Sequence, residues 1–420
     1  MLSFAIGPFT QQAIKTGACP QILGNVNSSL PIANFIPGSS SYRFAAGLWE
    51  IEVDMKGTMI QGLTNPKGND SAILPSCPSG NCTDYGTGVT HASIGLCSKC
   101  IDTTSKVKGP DKGGNITLPD NDVYISIMSD APFLTSGSTN LSWAVDLFPD
   151  NGFAEAAHVA LTNISILAAS TAPCTNDTST NFTVVCPHNT SITNYDYGGT
   201  TDYVATSCAL YPCLRTYHGS VDNGILTEKL ISTAPAPVWE APDYPSSWYA
   251  YNFTAVREPC ILDASGTWYT RQNMSSAPNI TGRTWHTVPN LFTKGQNATV
   301  PNACLYKMYG VYAMALYRFM ADTLFDASCT YNSRQGGELY CGNAWWLSPL
   351  YSQKNATFES LSTALDDFAT AVTNKFRTTA SGPDALEIDD PNVFRTADPN
   401  LTANMVQGIV GAGYYYRLVW

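Results

Sequence analysis

Two periodicities divide the chain. In "WEIEVDMK", residues 49–56, Trp49, Ile51, Val53 and Met55 fall on one side of an extended backbone and Glu50, Glu52, Asp54 and Lys56 on the other. That alternation predicts a half-buried strand. "LSWAVDLF" at 141–148 begins the same way, with Leu141, Trp143, Val145 and Leu147 inward. "VYISIM" at 123–128 and "VALTNISIL" at 159–167 are further strand candidates, and clusters such as "GPDKGGN" at 109–115 and "FPDNG" at 148–152 punctuate them.

Past residue 300 the spacing turns helical. Residues 304–327 place Leu305, Met308, Tyr312, Leu316, Phe319 and Leu324 near one helix face, with Gly310 a minor weakness. Phe358, Leu361, Leu365, Phe368, Val372 and Phe376 then repeat at three and four. Thr357 suits the N-cap and Glu359 the first turn; Lys375 and Arg377 suit the last turn, and "SGP" at 381–383 stops it. Ordinary core packing accounts for both stripes. The expected fold is α+β: a β-rich body over roughly residues 1–300, a C-terminal pair of amphipathic helices packed on it within 301–380, and 381–420 as an acidic loop and closing strand. The loop is "ALEIDDPNVFRTADPN" at 385–400 and the strand "VQGIVGAGYYYRLVW"; no repeat or long linker divides the chain.

Composition changes the picture more than any motif does. Hydrophobic residues are 44% of the 420, so a core can be buried, but charged residues are only 13%, about half the usual share. The net charge is −11 and no basic run exceeds two residues, which excludes nucleic acid as a partner. Thirteen cysteines exceed what a cytosolic chain normally carries. Fifteen Asn-x-Ser/Thr sequons begin at Asn27, Asn69, Asn81, Asn115, Asn140, Asn163, Asn176, Asn181, Asn189, Asn252, Asn273, Asn279, Asn297, Asn355 and Asn400. Together these predict an oxidising, glycosylating compartment, with sugars supplying the solubility that charge does not.

The cysteines pose a choice between metal and disulfide. Cys77, Cys82, Cys97 and Cys100 read C-x4-C then C-x2-C, and Asn81-Cys82-Thr83 is itself a sequon. Zinc knuckles favour paired short C-x2-C spacings. Outside the cluster, Cys174 lies close to Cys186, Cys208 to Cys213 and Cys329 to Cys341. Zinc would account for four cysteines; disulfides account for twelve and leave one over. The ten cysteines named here are therefore expected in disulfides, with three connectivities open inside the cluster and no metal or other cofactor.

Signals for catalysis are weak. None of His91, His158, His188, His218 and His286 forms H-x-H or H-E-x-x-H, and there is no G-x-S-x-G elbow, P-loop or dinucleotide fingerprint. His218, in "RTYHGSV", is the histidine to inspect first for a dispersed triad. Glu387, Asp389 and Asp390 have the spacing of a solvated loop, and Asp120 and Asp122 that of a turn rather than a calcium loop. Aromatics in "WYAYNF" at 248–253, "NAWWL" at 343–347 and "YYY" at 414–416 could stack sugar rings or pack a core. No catalytic residue is assigned.

"MLSFAIGPFTQQ" lacks the features of a signal peptide, and the longest apolar run, "MYGVYAMALY" at 308–317, is half a membrane crossing. An ectodomain taken from a longer membrane protein would reconcile these features with the cysteines and sequons.

"AIGPFTQQAI" near the start, "VDMKGTMIQGL" at 53–63, "PSCPSGNCTD", "SIGLCSKC" and "CALYPCLRTYHGSV" at 208–221 together resemble an uncharacterised family of filamentous-fungal multi-pass membrane proteins with a large cysteine-rich, glycosylated ectodomain. "YYYRLVW" is similar to the end of that ectodomain. The resemblance implies membrane helices before and after a chain like this one and a cell-surface, extracellular position at the plasma membrane. It implies no activity. The expectation is a non-enzymatic ectodomain that binds or senses an extracellular ligand, carbohydrate among the candidates. A surface hydrolase of polysaccharide or peptide and a structural surface module are the alternatives.

Overall fold

The computed structural model describes residues 28–36, 41–45, 48–65, 73–75, 82–83, 90–108, 111–112, 114–119, 123–126, 132–138, 144, 152–170, 192–193, 200–236, 238–240, 251–261, 268–275, 285–289, 291–293, 295–301, 304–332, 338–378 and 415–418. The fold is α+β and rich in strands. Its centre is an antiparallel sheet containing β1 (His91–Asp102), β2 (Pro132–Ser138), β3 (Thr162–Ser170), β4 (Thr200–Asp222), β5 (Ile225–Pro235), β6 (Ala327–Asn332) and β7 (Glu338–Tyr340). β4 is 23 residues long and organises the rest. On one side it pairs β3 through Asp202–Leu210 and then β5 through Cys213–Asp222; on the other it pairs β1 through Thr206–Tyr217.

Pro212, in the middle of β4, has no N–H to give a neighbour. It falls in the gap between β3 and β5, where only its carbonyl is used, accepting from Ala236 N at 2.9 Å. The hairpin into β5 turns on Asn223 and Gly224 with φ of 51° and 79°, the left-handed pair a tight two-residue loop requires.

Both faces are buried where β1, β3 and β4 run side by side. Even-numbered Ala92, Ile94, Leu96, Ile164, Ile166, Cys208, Leu210 and Leu214 enter the main core. Odd-numbered Cys97, Ile101, Ala209, Tyr211 and Cys213 enter a smaller cluster with Phe153 and Ala156. Among the described residues, four helices contribute to these two cores: α1 (Val53–Thr64), α2 (Phe153–His158), α3 (Gly310–Phe319) and α4 (Phe358–Thr378).

α4 follows its sequence closely. Thr357 caps it, its Oγ1 accepting from Ser360 N at 3.1 Å, and Leu361, Leu365, Phe368, Val372 and Phe376 are buried. The helix runs along the outer edge of β1, where Thr373 Oγ1 accepts from Leu96 N at 3.0 Å and donates to Leu96 O at 3.1 Å. A side chain on Gly95 would meet Thr373 at 2.5 Å, so the close approach needs glycine there.

Two sequence expectations need correction. The alternating stretch 49–56 is not one strand. A strand ends at Ile51, and helix α1 starts at Val53, whose side chain is 75% exposed. Met55, Thr58, Met59, Gly62 and Leu63 form the buried stripe of α1, and Gly62 lies against Ala371 and Phe368 of α4. The alternation arose where the end of a strand abuts the first residues of a helical stripe. Likewise 304–327 is not wholly helical: Leu305–Tyr309 is a strand paired with Tyr251–Val256, and only then does α3 begin. The helix that packs extensively against α4 is α1; α3 meets α4 through the edge-on contact of Tyr312 with Phe376.

The strand candidates at 123–128 and 159–167 appear as Tyr124–Ser126 and β3. Of 141–148 only Ala144 is described, and it is buried. The acidic loop at 385–400 lies outside the described residues, while Tyr415–Leu418 pairs with Ser28–Pro31 as a strand.

Candidate functional site

The cysteines join distant segments. Cys97 bonds Cys213 and Cys100 bonds Cys208, across sequence separations of 116 and 108. The two bridges link β1 to β4 on opposite faces of the sheet. This corrects two expectations: Cys97 and Cys100 do not pair within their own cluster, and Cys208 does not pair with nearby Cys213. Both C-x2-C thiols are consumed as disulfides, so they are no zinc knuckle. Cys329 bonds Cys341, and Cys260 bonds Cys304, a pair that sequence spacing did not single out. Cys82 is described only as strand backbone; Cys77, Cys174 and Cys186 lie outside the described residues. The four disulfides among the described residues mark an extracellular or secreted protein. Among the described residues no helix is long and apolar enough to cross a membrane.

Of the sequon asparagines, Asn273, Asn297 and Asn355 are exposed, Asn115 is half-buried and Asn163 is half-buried with its Oδ1 enclosed in the sheet. Asn252 is described only in its backbone, and the other sequons lie outside the described residues.

A buried ionic cluster escaped the sequence reading. Arg377 gives both terminal nitrogens to Glu228, each at 2.7 Å, and its Nε to Pro31 O at 3.0 Å. His91 Nε2 lies 2.6 Å from Glu228 Oε1, and the His91 ring stacks on Tyr217. Burial pushes the Glu228 carboxyl up, but the His91 hydrogen bond and the Arg377 charge outweigh it and hold the group down at about 2. The side chains of His91 and Arg377 are fully buried, so the cluster ties α4, β1 and β5 together inside the protein. Nothing in the sequence pairs Glu228 with Arg377, because 149 residues separate them.

His218 is half-buried on β4 opposite Lys229. His158 is exposed at the end of α2, and only backbone is described for His286. His188, Asp120, Asp122, Glu387, Asp389 and Asp390 lie outside the described residues. Within the aromatic stretches, Phe253 is buried, Trp345 is 59% exposed, and Trp346 donates its indole N–H to Leu324 O at 2.9 Å.

Among the described residues a surface cleft of about 360 Å³ lies between the strand ending at Ile51 and the end of α3. Trp49 and Phe319, both half-buried, supply its aromatic surface. Lys56 from α1 lies 5.5 Å from the Phe319 ring centre and 2.6 Å from Glu50. Arg318 faces Asp322 at 3.9 Å. After α3 the chain widens into a π-turn, Met320–Leu324, closed by Phe325 N donating to Met320 O at 3.1 Å. The extra residue of such turns commonly reshapes functional surfaces; here Asp322 and Thr323 point outward while Ala321 and Leu324 are buried. Sequence reading placed Trp49 and Phe319 in the core because their positions fit apolar periods; only the meeting of α1, α3 and the Trp49 strand leaves their faces open.

Comparison with protein-family models, with curated proteins and with solved structures finds no match.

Proposed function

We propose that the chain is the N-glycosylated, disulfide-bonded ectodomain of a cell-surface membrane protein, and that it binds a neutral carbohydrate without chemical conversion. The Trp49–Phe319 cleft carries this reading. Aromatic faces suit the apolar faces of sugar rings, and a few convergent polar groups fix orientation in such sites. Both cations of the cleft already face a carboxylate, Lys56 with Glu50 and Arg318 with Asp322. That balance favours an uncharged, hydroxyl-rich ligand over an anionic one. Glu50 and Asp322 line the cleft where carboxylate oxygens can accept hydrogen bonds from ligand hydroxyls. The disulfides support the extracellular setting, and the resemblance to fungal multi-pass proteins supports membrane attachment through helices flanking this chain.

The test is calorimetric titration of the secreted, glycosylated protein with laminarihexaose, chitohexaose and mannohexaose. At least one should bind, and Trp49→Ala should weaken binding about tenfold, the equivalent of ~1.4 kcal/mol, with the thermal midpoint recorded to check folding. Absence of binding to all three would sink the reading. Release of shorter sugars during the titration would replace it with a hydrolase.

A further inference from the structure

We propose that the Trp49–Phe319 cleft is one end of a longer groove that takes an oligosaccharide of several units. This rests on the carbohydrate reading of that cleft. A second cavity, of about 610 Å³, opens beside the first, and Asp322 lines both. The π-turn that projects Asp322 therefore stands between two recesses rather than at the margin of one.

The second recess has its own chemistry. Its walls come from β2 and β6, neighbouring antiparallel strands, whose exposed residues Ser138 and Ser328 line it; Ser138 Oγ also lies 3.4 Å from Thr162 Oγ1. Asp326, also exposed, adds a carboxylate, and Tyr124, 49% exposed, adds an aromatic face. Hydroxyls both donate and accept, and carboxylates accept, which matches the dense hydroxyls of a sugar. An aromatic thus stands in each recess, Trp49 in one and Tyr124 in the other, with polar groups between them. Each volume falls within the roughly 300–1,000 Å³ of small-ligand sites. One sugar unit would fill a single recess and leave the other empty; a chain of units engages both.

The experiment is a length series, from glucose through laminaribiose and laminaritetraose to laminarihexaose, with the matching N-acetylglucosamine and mannose oligomers, titrated into the glycosylated protein. Affinity should rise at least tenfold from the disaccharide to the hexasaccharide. Ser328→Trp, which fills the second recess from an exposed strand position, should cut hexasaccharide affinity about tenfold; Ser138→Trp on the neighbouring strand should do the same if the first variant folds poorly. A hexasaccharide that binds no more tightly than the disaccharide, or that ignores both tryptophans, overturns the groove and leaves the single-cleft reading standing. No binding by any oligomer overturns both.

Discussion

β1 and β5 flank the same stretch of β4 and could hardly differ more. β1 is buried along most of its length, bonded to β4 by two disulfides, and its outer edge is occupied. Ile94 N donates to Ala33 O at 2.8 Å, and Thr373 takes both backbone groups of Leu96. β5 is exposed along nearly all of its length, with Ile225 70% and Ile231 51% exposed. Its register slips opposite Thr216/Tyr217, leaving Ile231 without a partner on β4. A bulge of this kind, with the exposed Lys229 beside it, blunts an open edge against further pairing. Yet β5 provides Glu228, which anchors the end of the helix that covers β1. A strand's burial is set by what lies over it, and a strand that is mostly exposed can hold the most consequential charge of the fold.

The largest effect should come from breaking that link. Glu228→Gln leaves the Arg377 guanidinium buried without its carboxylate, and losing one partner of such a pair costs about 3–5 kcal/mol. The expected outcome is a markedly lower urea midpoint with all disulfides intact. The same contact predicts a pH response. The Glu228 carboxyl is lower in the folded chain, about 2, than its ordinary value of 4.5, so its contribution is complete above that ordinary value. It is lost as pH falls from about 4.5 toward about 2. Urea titrations across that window should show the wild type losing stability and Glu228→Gln losing less.

Next comes the covered edge itself. Gly95→Ala sets a methyl against Thr373, 2.5 Å away, and overpacking of this kind costs about 1–3 kcal/mol. Amide exchange at Leu96, slow in the wild type because Thr373 holds that N–H, should accelerate in the variant; unchanged exchange and stability would mean that α4 does not press on β1. On the open edge, Ile231→Lys should shift stability by no more than about 0.5 kcal/mol. A larger loss would show that something covers β5 in solution.

How much of this was legible depends on how locally each feature is encoded. α4 could be read nearly to its ends, because one of its faces is polar and its cap and last-turn charges sit beside it in sequence. β1 and β4 could not be read as strands, because apolar residues on both faces erase alternation. Trp49 and Met55 fit one alternating pattern although one lies in a strand that ends at Ile51 and the other begins a helical stripe.

By itself the sequence determined the chemical setting, through thirteen cysteines and few charges, and the elements whose signals lie within a few residues of one another. Tertiary structure decided the rest. Arg377, which in sequence is a cation suited to a helix end, becomes half of a buried ion pair only when β5 brings up Glu228. Cys97 and Cys100 choose Cys213 and Cys208 because the register of β1 on β4 places those residues opposite or diagonal to one another. The cleft exists because α1, α3 and a short strand meet without closing over Trp49 and Phe319. Each of these depends on contacts between segments far apart in the chain, where neither periodicity nor capping carries information.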